Sequence, residues 1–156
     1  MKIHLIAVGN RMPRWIEDGF AEYAGRMPRN ARLSLREVRP EARSSGKTVA
    51  QMTEAEAARI DAAVPADCER IALDERGREF TTRELAAWLE TKLGGGRDLA
   101  FLIGGPDGLA ARLKSGAATQ MRLSGLTLPH GLARVLLAEQ LYRAVSILQH
   151  HPYHRE

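Results

Sequence analysis

The stretch Lys2-Ile-His-Leu-Ile-Ala-Val-Gly9 is apolar, rich in β-branched residues and closed by Gly-Asn, and such a run predicts a buried strand. Beyond Pro13 the period changes: Ile16, Phe20, Tyr23, Ala24 and Met27 recur at helical spacing. Leu33, Leu35 and Val38 predict a second strand that stops at Pro40, and residues 41–46 read as a polar loop. Val49, Met52, Ile60 and Ala63 define a second helix with a capping-box spacing at Thr53 and Glu56, ended by Pro65. Arg70 to Leu73 is a short strand followed by a turn at 74–77. Thr81 with Glu84 then opens a helix whose stripe is Leu85, Trp88 and Leu89 and whose end is Gly94-Gly-Gly96. Leu99 to Ile103 is a buried strand that runs into Gly104-Gly-Pro-Asp-Gly108, with a short helix through Leu113 after it. Met121 to Leu123 is a last strand, and a long helix runs from about Gly131 to Gln149. Strand and helix alternate five times, the order of an α/β domain with a mostly parallel sheet, and no repeat or linker divides residues 1–156.

Composition adds bounds rather than a fold. A chain of 156 residues buries about two-thirds of its unfolded surface and needs no staple. The single cysteine, Cys68, excludes an internal disulfide and a cysteine-based zinc site. The apolar start is too short for a signal peptide or a membrane span, which points to a cytoplasmic protein with no membrane partner. Charge is unevenly spread: residues 1–47 hold ten Lys/Arg against five Asp/Glu, and residues 48–156 hold thirteen against fourteen. A basic N-terminal part fits an anionic partner such as RNA, and it equally fits a solvated face.

Four segments could carry chemistry. Gly104-Gly-Pro-Asp-Gly108 lies between a buried strand and a helix, where open α/β sheets bind ligands, although a tight turn needs the same residues. It matches neither a phosphate loop nor Gly-x-Gly-x-x-Gly. Leu123-Ser-Gly-Leu-Thr-Leu-Pro-His130 can offer backbone groups to a purine edge between leucines, or be a plain connector. The last helix is apolar over most of its circumference, as befits a dimer interface or a core helix, and Glu139 and Arg143 stand four apart in the favourable order for a pair. The tail His150-His-Pro-Tyr-His-Arg-Glu156 has neither the cysteine nor the spacing of a metal site, so no metal is expected. Tyr153, His154 and Arg155 together supply a ring to stack, a group that titrates near neutrality and a fixed cation, which suits RNA.

Taken together, Phe101-Leu-Ile-Gly-Gly-Pro-Asp-Gly-Leu109, Leu123-Ser-Gly-Leu-Thr-Leu-Pro-His130, Glu139-Gln-Leu-Tyr-Arg-Ala144 and Pro152-Tyr-His-Arg155 resemble the RlmH family of the SPOUT superfamily. Its members are pseudouridine N3-methyltransferases of large-subunit ribosomal RNA, and the likeness extends over essentially the whole chain. The resemblance implies a single-domain SPOUT-type fold with a C-terminal deep trefoil knot, which general folding rules would not have led one to expect. It also implies a homodimer, S-adenosylmethionine (SAM) as cofactor, and a ribosome or its large-subunit RNA as partner. Carried over by position, the cofactor contacts are Leu73, Gly104, Leu123, Ser124, Gly125, Leu126, Thr127 and Leu128. For catalysis the reading assigns Arg155 to stabilising the N3 imidate, His154 to accepting the proton or contacting the base edge, and Tyr153 to stacking or orienting, with Glu139 and Arg143 holding the polar network. Two alternatives stay open: a non-catalytic ribosome-binding assembly factor, and a SPOUT enzyme with another RNA target. A conventional Rossmann methyltransferase fits poorly, because Ala7-Val-Gly9-Asn10 lacks a glycine-rich fingerprint.

Overall fold

Alternation of strand and helix carries through the computed structural model, which describes residues 1–43 and 46–155. The order is β1 (Lys2–Val8), α1 (Arg14–Arg26), β2 (Arg32–Val38), α2 (Val49–Ala63), β3 (Glu69–Glu79), α3 (Thr82–Gly95), β4 (Leu99–Ile103), α4 (Ala111–Gly116), β5 (Thr119–Arg122) and α5 (His130–Leu148), with 3₁₀ turns at Arg29–Ala31 and Pro152–His154. Ser44 and Ser45 of the expected polar loop, and the terminal Glu156, lie outside the described residues.

All five strands pair in parallel, in the order β2-β1-β4-β3-β5. Every strand therefore ends at the same edge, and there a ligand site can form. Both faces are covered. Ile3, Leu5, Phe101 and Ile71 pack with Phe20, Leu89, Leu137 and Leu141 from α1, α3 and α5 on one side. On the other, Ile6, Val8, Ala72 and Leu102 pack with Ile60 of α2 and Leu113 of α4. This explains why β1 and β4 read as continuous apolar runs.

Two local expectations are corrected. The capping box of α2 is formed by Thr48 and Gln51, each side chain bonded to the other's backbone N–H. Thr53 lies one turn inside the helix, where its hydroxyl donates to the carbonyls of Val49 and Ala50, and Glu56 is buried. The box signal is only a three-residue spacing, and the earlier Thr48 satisfied it with glutamine. The third strand also continues through the expected turn: Met121 of β5 faces both Leu73 and Arg78, so residues 74–77 form a bulge rather than an end.

Gly77 in this bulge lets β3 and β5 approach, since a Cβ there would lie 2.6 Å from the backbone nitrogen of Met121. We predict that Gly77→Ala costs roughly 1–3 kcal/mol in urea unfolding. Gly94, in α3 with open space around its Cβ position, should gain up to about 1 kcal/mol on mutation to alanine. Equal effects from the two substitutions would contradict the bulge as a close-packed feature.

Candidate functional site

A cleft of about 1140 Å³ opens at the shared edge of the strands. Its walls come from the ends of β1, β3, β4 and β5, from the glycine turn after β4 and from the loop after β5. All eight residues expected around the cofactor line it: Leu73, Gly104, Leu123, Ser124, Gly125, Leu126, Thr127 and Leu128. Parallel strands explain the convergence, because residues that follow different strands emerge side by side.

The glycine turn is tight for a local reason. A Cβ on Gly104 would stand 2.4 Å from the carbonyl carbon of Gly108, and Gly108 itself has φ +76°. Beneath the turn lies Glu56, a carboxylate only 2% exposed, accepting from the backbone N–H of Glu41 and from the Arg43 guanidinium, both at 2.9 Å. Arg43 also reaches Asp107 of the turn at 3.1 Å. A buried charge persists only when compensated, and this network does so while tying α2 to the cleft. Opposite the turn, the segment 123–129 belongs to no helix or strand, and within it Leu126 N–H donates to Ser124 Oγ at 2.9 Å. Its backbone groups are not committed to a ladder, and leucines flank them.

Of the five expected catalytic residues, Tyr153, Glu139 and Arg143 come together against the second half of α5, with His154 and Arg155 following in the tail. Tyr153 donates to Glu139 Oε1 at 3.0 Å, and Arg143 Nε donates to the same oxygen at 2.8 Å. The Tyr153 ring stands 4.7 Å from that of Tyr142, and the guanidiniums of Arg143 and Arg26 lie 5.0 and 6.0 Å from its centre. Burial, then the bond to the Glu139 carboxylate, pushes the Tyr153 phenol up to about 12, so it stays protonated near neutrality. His154 follows, and its Nδ1 is buried with no hydrogen-bond partner among the described residues. Arg155 is exposed in a left-handed conformation, φ +49°. Tyr153 folds back onto the middle of α5 at Glu139, about 14 Å along the helix from His130, and none of the five residues lines the cleft.

Among the described residues no group of three or more His, Cys, Asp or Glu side chains is placed to hold a metal ion. No helix among the described residues is long and apolar enough to cross a membrane.

A family model described as "Predicted SPOUT methyltransferase" matches residues 1–154. The chain belongs to the SPOUT methyltransferase family. Relatives from Bordetella petrii and Ralstonia nicotianae, each 59% identical over 155 residues and 99% of both chains, carry the name Ribosomal RNA large subunit methyltransferase H. Solved structures show the same fold. A putative methylase family protein from Neisseria gonorrhoeae has a TM-score of 0.53 at 17% identity, over 90% of this chain and 81% of that one. A probable methylase family protein from Haemophilus influenzae reaches 0.54 at 15%, over 97% and 69%.

In this SPOUT family member the cleft also contains residues the sequence reading passed over. Asp74, Glu75 and Arg76 line it from the β3 bulge, and Lys114 lies 3.9 Å from Asp74. Their position at a strand's carboxyl end was the available signal. His130 and Arg134, on the first turns of α5, were missed too. His130 Nδ1 donates to the Gly104 carbonyl at 2.9 Å, and its Nε2 accepts from Arg134 at 2.9 Å. An arginine in the apolar face of a helix was the clue.

Burial, followed by the Arg134 cation, lowers the pKa of His130, and burial with Arg36 lowers that of His4. The unfolded chain then binds more protons than the folded one, so stability rises with pH. This contribution is fully present above the unfolded value near 6.5 and is lost as the pH falls through the folded values. A melting temperature that drops between about pH 7 and pH 5, with a shallower drop in His130→Asn, is the expected outcome of calorimetry. A pH-independent melt in that window would contradict both assignments.

Proposed function

We propose that the chain is a SAM-dependent methyltransferase acting on N3 of a pseudouridine in large-subunit ribosomal RNA, as a cytoplasmic homodimer working on the assembled ribosome. The observation that carries this reading is a cleft lined by both motif loops in a chain 59% identical to relatives named Ribosomal RNA large subunit methyltransferase H. The reading includes a C-terminal trefoil knot, which membership of the SPOUT family supports.

The residues present fit the cofactor. The cleft is large enough for a ligand of SAM's size, its leucines can enclose a purine, and the uncommitted backbone of 123–128 can hydrogen-bond the ring's edge. Leu73, Gly104 and residues 123–128 would hold it. When bound, SAM supplies an electrophilic sulfonium methyl. The chain must present N3 in line with that methyl and take away one proton. Arg155 offers a cation to the N3 imidate, and His154 accepts the N3 proton or contacts the base edge. Tyr153 orients this edge rather than acting as a base, because its proton is committed to Glu139, itself steadied by Arg143.

Because no residue of the tail lines the cleft of its own chain, the tail that serves a cleft comes from the partner subunit. A suitable seam lies beside the cleft. Gly131 packs on Met12 and Ile16, and their neighbours Trp15 and Leu132 are 62% and 36% exposed, with Leu126 at 77%.

Incubation of the protein with labelled SAM and either ribosomes or naked ribosomal RNA, followed by mass spectrometry, tests the reading. The label should sit on N3 of one pseudouridine, and only when ribosomes are used. His154→Ala and Arg155→Ala should each lose on the order of 100-fold in methylation with SAM affinity kept. Undiminished methylation in both variants, or SAM binding with no transfer to either RNA, would overturn it.

A further inference from the structure

His130 joins the two arms of the cleft. It directly follows Leu123–Pro129, and its ring crosses to the glycine turn to bond the Gly104 carbonyl at 2.9 Å. Arg134, one helical turn on and only 1% exposed, donates from Nε to His130 Nε2 at 2.9 Å. The same guanidinium donates to Glu37 Oε2 of β2 at 2.8 Å and to the Gly9 carbonyl after β1 at 3.1 Å. A continuous path of hydrogen bonds therefore links the ends of β2, β1 and β4 to the first turn of α5.

The chemistry of these groups leaves one arrangement. An arginine Nε always carries a proton, so His130 Nε2 must be the bare acceptor. A carbonyl only accepts, so Nδ1 must hold the ring's single proton and donate it to Gly104. Both bonds demand the same neutral tautomer. The opposite tautomer and the imidazolium would each set an N–H against the Arg134 N–H.

We propose that His130, held in its Nδ1–H tautomer by Arg134, is a positioning residue for cofactor binding: it fixes the spacing between the glycine turn and the 123–128 loop. This rests on the reading of the cleft as the SAM site. His130 lines the cleft beside the glycine turn and Arg134 is buried behind it, so loss of the latch should be felt first in SAM binding.

The test is calorimetric SAM binding and steady-state kinetics for wild type, His130→Phe and His130→Asn. Phenylalanine keeps the ring's bulk without its polar atoms, and asparagine keeps a donor near the Nδ1 position. His130→Phe should weaken SAM binding by about tenfold or more and raise KM for SAM with KM for ribosomes unchanged, whereas His130→Asn should stay within about threefold of wild type. In the unmutated protein, nitrogen NMR of the His130 ring near neutral pH should show a protonated Nδ1 and a bare Nε2, with shifts that move when SAM is added. That measurement stands even if a variant fails to fold. Wild-type binding with His130→Phe equally tight, His130→Asn as weak as His130→Phe, or a protonated Nε2 overturns the latch alone. Absence of SAM binding by the wild type overturns the cofactor reading and the latch with it.

Discussion

Helix α5 starts against the cleft and ends at the aromatic and basic tail, and a helix of 19 residues neither shortens nor folds back on itself. Leu137, Ala138, Leu141, Ala144 and Val145 bury one face of it against α1, α3 and the sheet, so its direction is fixed along with its length. Its start and its middle are also anchored chemically. His130 and Arg134 tie the first turns to the strand ends, and Glu139 and Arg143 grip the Tyr153 ring beside Tyr142. In the reading proposed above, the cleft and the tail are two half-sites of one chain, and chemistry that needs both recruits a second copy.

Buried charge does much of the ordering around the cleft. Arg134 under the first strand and Glu56 under the glycine turn are each almost completely removed from water, a state tolerated only with several partners in good geometry. Removing a single partner leaves the other charge stranded, so these networks punish alternative packings of the loops they hold. Their contribution is one of position more than of net stability.

Much of the architecture was legible in the hydrophobic pattern, because β1 and β4 are covered on both faces and so appear as unbroken apolar runs. The glycine turn and the 123–130 segment stood out because backbone constraints demand unusual residues there. Interactions between distant segments left weaker traces. His130 meets Gly104 across 26 positions and Arg134 meets Glu37 across 97, separations that no local spacing encodes. The bulge at 74–77 looked like a turn because Asp74-Glu-Arg-Gly77 has turn composition, and only the pairing with β5 makes it strand. The basic N-terminal charge also proved partly local: Arg36 bonds the Ala63 carbonyl, Arg43 pairs with Glu56 and Asp107, and Arg26 sits over the rings of Tyr23, Tyr142 and Tyr153. A charge count cannot separate such residues from those left to meet RNA.

Subunit mixing tests most directly whether the site is shared. Gly125→Trp fills the cleft at a position whose nearest atom to a built Cβ is 4.0 Å away, and His154→Ala removes the tail's ring. Each homodimer should be inactive. After equimolar unfolding and refolding together, half the dimers are mixed, and each mixed dimer holds one intact cleft facing one intact tail. Ribosome methylation should then recover to about a quarter of the wild-type rate. A site contained within one chain would leave the mixture as inactive as its parents, and that result would contradict the account.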